Sequence, residues 1–253
     1  MEITWITFLI VCPLVGLAGF VDAIGGGGGL ISLPAYLLAG IPAHNAIATN
    51  KLSSACGTAL ATSRFIKNGL VNFILAVPAV ISAIIGSYIG AHFSMRIEER
   101  VLSVMLLFLL PIVAFIVLNK KIFKDNGNEQ VELDKKTVIT TIISALVIGM
   151  YDGFYGPGTG TFLIIAFTVA ANMGMKVANA QAKVINLTTN ITSLTVFFLN
   201  GQVLIPLGIA AAICNMIGGY VGAGLVMKNS SKIIRPIVII VLIILAINVI
   251  TKL

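Results

Sequence analysis

Asp22, Lys51, Asp152 and Lys183 are ionisable side chains in stretches where an apolar chain least accommodates charge. Of nine acidic residues only Asp22 and Asp152 fall inside the apolar parts, and of sixteen lysines and arginines Lys51 and Lys183 lie furthest from a clear loop. A charge at the centre of a bilayer costs from ~2.5 to more than ~10 kcal/mol. Each of the four must therefore be paired, hydrated or put to use. Lys51 sits among Thr49, Asn50, Ser53 and Ser54, and Lys183 among Gln181, Asn186, Thr188, Thr189 and Asn190. These groups recur at helical spacing, so each lysine shares a polar stripe on one helix face. A lysine that merely extends its stem to the headgroups is better served by apolar neighbours. The stripe instead suits a hydrated cavity, where an ammonium attracts an anion.

Two glycine-rich runs follow the aspartates: Gly25 to Gly29, and Gly156-Pro157-Gly158-Thr159-Gly160. Alone, such runs mean tight connections or close helix packing. Here each precedes a short segment, beginning near Leu30 or Thr161. The unpaired N–H groups and positive dipole end of a helix start favour an anion. The candidate anion site therefore comprises Lys51, Lys183, Gly27, Gly28, Gly29, Gly158, Thr159, Gly160, Thr49, Asn50, Asn186 and Asn190, an electropositive pocket. Asp22 and Asp152 pair with the lysines, cap the short helices, or take up protons during transport. His44 and His92 fall near segment ends, where an interfacial position accounts for them.

Other chemistries are excluded by pattern. No Gly-x4-Gly-Lys-Ser/Thr occurs, so no P-loop binds ATP, and HExxH, GxSxG and Ser/His/Asp sets are missing. Cys12, Cys56 and Cys214 have neither CxxC nor Cys/His spacing, which points away from zinc and disulfides. No enzyme, cofactor or metal is expected.

The elements that must position these residues are membrane helices. Hydrophobic residues make up 58% of the chain and charged residues 10%, with mean hydropathy +1.06. A soluble domain carries about 25% charged residues, so too little polar surface exists for a water-facing shell. The net charge of +7 collects in loops rather than beside stacking aromatics, which argues against nucleic acid as a partner and for lipid. A spanning helix needs about 20 mostly apolar residues. Segments are read at 3–23, 30–42, 45–66, 71–93 and 100–118, then 137–151, 161–174, 178–199, 203–227 and 234–251. The 30–42 and 161–174 pieces are too short for an upright crossing.

The two halves repeat. The same interval of chain separates Lys51 from Lys183, Gly69 from Gly201, Gly86 from Gly218 and Tyr88 from Tyr220, and the glycine runs align one position short of it. The expected fold is therefore all-α: a polytopic bundle of about 8–10 membrane segments in two inverted repeats, each broken by glycines before a short helix. Residues 1–118 form the first repeat, 119–136 a polar linker and 137–253 the second repeat. If all ten segments cross, eleven lysines and arginines fall on the linker side and three on the other. The positive-inside rule then puts the linker in the cytoplasm and both termini outside, in a multi-pass protein of the inner membrane. Five crossings per half would insert the second half upside down.

Gly25–Gly29 followed by Pro34, the string Ala48-Thr49-Asn50-Lys51-Leu52, and Gly69-Leu70-Val71 form an ordered set. Gly156–Gly160, Ala180 to Asn190 and Gly201-Gln202-Val203 repeat it. In these residues the chain resembles the sulfite exporter TauE/SafE family of bacterial and archaeal membrane proteins, over nearly its whole length. The resemblance implies export of sulfite and small sulfonated or carboxylated anions. The chain departs from the family pattern at Lys183, a position more often held by a small hydroxylated residue. The function expected is a secondary transporter or facilitator exporting sulfite, organosulfonates or similar oxyanions. The alternatives are a proton- or Na⁺-coupled transporter of another small solute and a passive anion channel. Assembly into an oligomer is compatible with all of these.

The linker assignment has a direct test. A cysteine placed at Asn126 should resist a membrane-impermeant thiol reagent added outside intact cells, and efficient labelling would reverse the topology.

Overall fold

The apolar stretches fold as helices, and their ends are set by local chemistry. The computed structural model describes residues 3–105, 108 and 133–228. Within these lie α1 (Trp5–Gly25), α2 (Gly29–Leu38), α3 (Ala43–Lys67), α4 (Phe73–Ser94) and a helical stretch at 99–105. The second half supplies α5 (Lys135–Phe154), α6 (Thr159–Ile165) continued by a π-helical turn (Ala166–Ala170), α7 (Met175–Leu199) and α8 (Ile205–Lys228). Most of the segment read at 100–118, the segment at 234–251 and most of the 119–136 linker lie outside the described residues.

Among the described residues, five helices are long and apolar enough to cross a membrane: α1, α4, α5, α7 and α8 over Ile205–Met227. The 25-residue α3 is as long, but its polar stripe lowers its hydropathy. The helix read at 137–151 starts at Lys135, because the Asp134 side chain accepts from Thr137 N at 2.8 Å and caps it. The segment read at 30–42 ends at Leu38, because Gly40 turns the chain at φ 78° ahead of Pro42. Its counterpart read at 161–174 widens into the π-helical turn and stops before Asn172, at φ 50°. Gly40 and Asn172 are separated by the same interval as the two lysines. At 10 residues α2 rises roughly 15 Å, half of a hydrocarbon core about 30 Å thick. It is a half-length helix.

The halves interlock rather than sit side by side. α1 packs against α8, and α4 against α5. Gly16 lies by Cys214 and Gly218, and Phe20 by Gly222, so α1 and α8 run parallel. Gly86 lies by Leu146, and Gly90 by Met150 and Phe154, so α4 and α5 also run parallel. Between α3 and α7 the direction reverses. Asn45 Nδ2 donates to Gln202 O at 2.8 Å near one end, and Thr62 Oγ1 donates to Lys183 O at 3.3 Å near the other.

Glycine makes these approaches possible. A Cβ on Gly86, Gly90, Gly218 or Gly222 would overlap a carbonyl oxygen of the facing helix. Helices in lipid gain little from apolar burial against each other, so close backbone packing is what holds them. The outer surface carries Leu9, Ile74, Ile81, Ile139, Val147, Ile209 and Ile217, all exposed, as a lipid-facing surface requires. The buried core gathers Val11, Val15, Leu33, Tyr36 and Ile47 from the first half with Phe197, Leu207 and Ala211 from the second.

These contacts separate two kinds of glycine. Gly90→Ala should abolish recovery of folded protein, because its Cβ meets backbone that cannot give way, beyond the ~1–3 kcal/mol of ordinary overpacking. Gly201→Ala meets nothing within 4 Å and suffers only from φ 69°, a cost of roughly 1–2 kcal/mol. Yield of monodisperse protein in detergent tests the contrast, and equal recovery of the two variants would contradict the packing.

Candidate functional site

The tips of the two broken hairpins meet inside the bundle. Gly26, at φ 79°, lies so close to Gly160 that a Cβ would overlap its backbone. Thr161 Oγ1 donates to Gly25 O at 2.8 Å across the same junction. Beside this junction pass α3 and α7, bringing Lys51 and Lys183 about two turns into each helix.

The four charges pair crosswise. Lys51 Nζ lies 2.8 Å from Asp152 Oδ2, and Lys183 Nζ donates to Asp22 Oδ2 at 2.7 Å. Each lysine thus takes its counter-ion from the other half of the chain. Both lysines and Asp152 are almost wholly buried, and only the Asp22 side chain keeps 16% of its surface exposed. Thr159 Oγ1 donates to Asp152 Oδ1 at 2.7 Å, and Thr58 Oγ1 reaches Asp22 Oδ2 at 3.5 Å. The electropositive pocket expected from the lysines is therefore balanced, two cations against two carboxylates.

A cavity opens at this cluster. It is lined by Asp22, Lys51 and Asp152, by Asn50 and Ser54 of α3, by Asn186 and Asn190 of α7, and by Gly26, Gly29, Gly156, Thr159 and Gly160. Its volume is about 20 Å³, room for one small occupant, since a water alone needs roughly 10–15 Å³. The amides form ladders along their helices: Asn190 Nδ2 donates to Asn186 Oδ1 at 3.2 Å, and Ser54 Oγ to Asn50 Oδ1 at 3.4 Å.

The structure divides the residues singled out by sequence. Lys51, Asn50, Gly29, Thr159, Gly160, Asn186, Asn190, Asp22 and Asp152 all line the cavity, and Lys183 stands behind Asp22. Thr49 does not. Its hydroxyl accepts from Leu204 N at 3.1 Å and joins α3 to the start of α8. Gln181, its equivalent in the second repeat, plays the matching part by donating to Asn72 O at 2.8 Å. The polar stripes are thus half packing and half cavity. Gly27, Gly28 and Gly158 shape the turns: Gly158 sits at φ 81°, and a Cβ on Gly28 would crowd Asp22.

Sequence reading missed Gly26, Gly156 and Ser54 as lining residues. Ser54 carried a usable signal, since it is the first-repeat equivalent of Asn186. Asn179 was also missed; its Nδ2 donates to Ala23 O and Ile24 O and closes the last turn of α1.

The sulfite exporter TauE/SafE profile matches residues 11–249, nearly all of the chain. The chain belongs to the sulfite exporter TauE/SafE family. It is a multi-pass membrane transporter of that family. A probable membrane transporter protein, ORF9, of a Sinorhizobium species is 34% identical over 247 residues, 96% of this chain and 91% of its own length. The probable membrane transporter protein YfcA of Escherichia coli K12 is 32% identical over 89% of this chain and 82% of its own. A probable membrane transporter protein of Haemophilus influenzae is 33% identical over 88% and 87% respectively. No solved structure matches the chain. In this member, the Thr159 hydroxyl donated to Asp152 and the two crossed pairs hold the charged groups beside the cavity.

Thr159 supports the Lys51–Asp152 pair directly. Thr159→Val keeps the shape and removes the donor, so it should lower unfolding free energy by about 1.5–3 kcal/mol, the range for a hydrogen bond to a charged group. Denaturant unfolding in detergent measures it, and an unchanged midpoint would deny Thr159 that role.

Proposed function

We propose that this transporter carries small anions (sulfite, organosulfonates or similar oxyanions) outward across the cytoplasmic membrane, by rocking two inverted repeats about the cavity between them. The meeting of four buried charges, two from each half, with amide and hydroxyl groups in one cavity carries the reading. Ammonium groups act as point charges toward an anion of any shape. The side-chain amides of Asn50, Asn186 and Asn190 offer hydrogen bonds to its oxygens. Both half-helices start at the cavity and add their positive ends. An inside-negative potential drives each anionic charge outward by about 2.3 kcal/mol per 100 mV.

The helix directions support inverted repeats. α3 and α7 run antiparallel, while α1 follows α8 and α4 follows α5. Each spanning helix then runs opposite to its counterpart, which lets one site face either side in turn. The charge asymmetry supports a cytoplasmic linker with both termini outside. Proton coupling is a second reading, favoured by the balance of the site. Each lysine is held by a carboxylate that could take up a proton.

Transport assays in proteoliposomes under an imposed sulfite gradient test the leading reading. Lys51→Ala and Lys183→Ala should each reduce flux at least tenfold, about 1.4 kcal/mol or more in the barrier. Leaving a carboxylate buried and unpaired also costs roughly 3–5 kcal/mol. Lys51→Ala combined with Asp152→Asn should therefore restore folding without restoring flux. Near-wild-type flux in both single variants would sink the proposal.

A further inference from the structure

Asp22 and Asp152 hold corresponding places at the ends of α1 and α5, yet their surroundings differ. Asp152 is fixed twice, by Lys51 at 2.8 Å and by the Thr159 hydroxyl at 2.7 Å. The first-half run Gly25 to Gly29 has no side chain to offer Asp22. Asp22 keeps Lys183 at 2.7 Å and only a long contact to Thr58, at 3.5 Å. Its side chain is 16% exposed against 3% for Asp152.

Lys183 has no exposed surface and does not line the cavity, whereas Asp22 does. The Asp22 carboxylate therefore stands between Lys183 and the cavity. At about 20 Å³ the space holds little more than a water, so an oxyanion enters only if a resident group moves. Asp22 is the loosest charged group there.

We propose that Asp22 is a surrogate anion: its carboxylate occupies, on Lys183, the place that the transported anion takes, and it swings away when the anion binds. This rests on the anion-transport reading. The swap preserves the charge balance that burial demands, because Lys183 exchanges one anionic partner for another. The apparent affinity of the protein is lowered by the fraction of molecules in which Asp22 remains in place.

The charged groups facing Asp22 are Lys183 of α7, Lys51 of α3 and, across the cavity, Asp152 of α5. α2 and α6 present glycines and Thr159, and α8 packs on α1 through Asn215, Gly218 and Gly222.

Methanesulfonate is a suitable probe, because its charge is constant from acid to neutral pH. Thermal stabilisation of the purified full-length chain in detergent reads its binding. Wild type should bind weakly. Asp22→Asn should bind about tenfold tighter or better, and Asp152→Asn should show no tightening. Asp22→Asn with wild-type affinity would overturn the proposal and leave the transport reading standing, as would equal tightening in Asp152→Asn. Absence of methanesulfonate binding and of sulfite flux in every form, wild type included, would instead bring down the transport reading and this proposal with it. If Asp22→Asn is recovered folded only with methanesulfonate present, the anion has filled the vacated place and the proposal stands. Failure to recover it even then overturns the proposal.

Discussion

A lysine and an aspartate buried in a membrane bundle are tolerable only together, and here each pair is made between the two halves of the chain. Lys51 and Asp22 belong to the first half, Lys183 and Asp152 to the second, and each ammonium finds its carboxylate in the other half. Separating the halves would break both pairs in low dielectric. The two halves must therefore fold into each other, and most of the architecture serves that requirement.

Close packing follows from it. α1 reaches the second half by lying on α8, and α4 by lying on α5, with glycines at each crossing so that carbonyl oxygens touch where a Cβ would otherwise stand. The half-length α2 and α6 follow as well. A full crossing at either place would carry the chain past the depth of the lysines. A break there instead turns Asp22 and Asp152 toward them, and the freed backbone groups face a cavity rather than lipid, where they would be unsatisfied. The π-helical turn after α6 and the positive φ at Gly40 and Asn172 are the local means of returning the chain to the next spanning helix.

The repeats are alike in frame and unlike in detail, and the difference lies at the site. Thr159 holds Asp152 where the first half has only glycine, and Asn50 of α3 corresponds in the repeat to Ala182 of α7. Both changes make one side of the cavity better held than the other. A pair of identical halves would have no reason to release one carboxylate before the other.

Much of this was legible in the sequence because lipid imposes strong rules. Charge in an apolar stretch, a segment too short to span, and a constant interval between recurring residues are all properties of order and composition, and they determined the helices, the family and most of the residues that line the cavity. What sequence order could not decide was partnership. Asp22 lies nearer in the chain to Lys51 than to Lys183, yet it bonds Lys183, 161 residues away, because the hairpin tips cross between the halves. For the same reason Thr49 read as a binding group and is a packing contact to Leu204. A helical stripe identifies a face, but only the neighbouring helix determines whether each turn of that face meets backbone or open space.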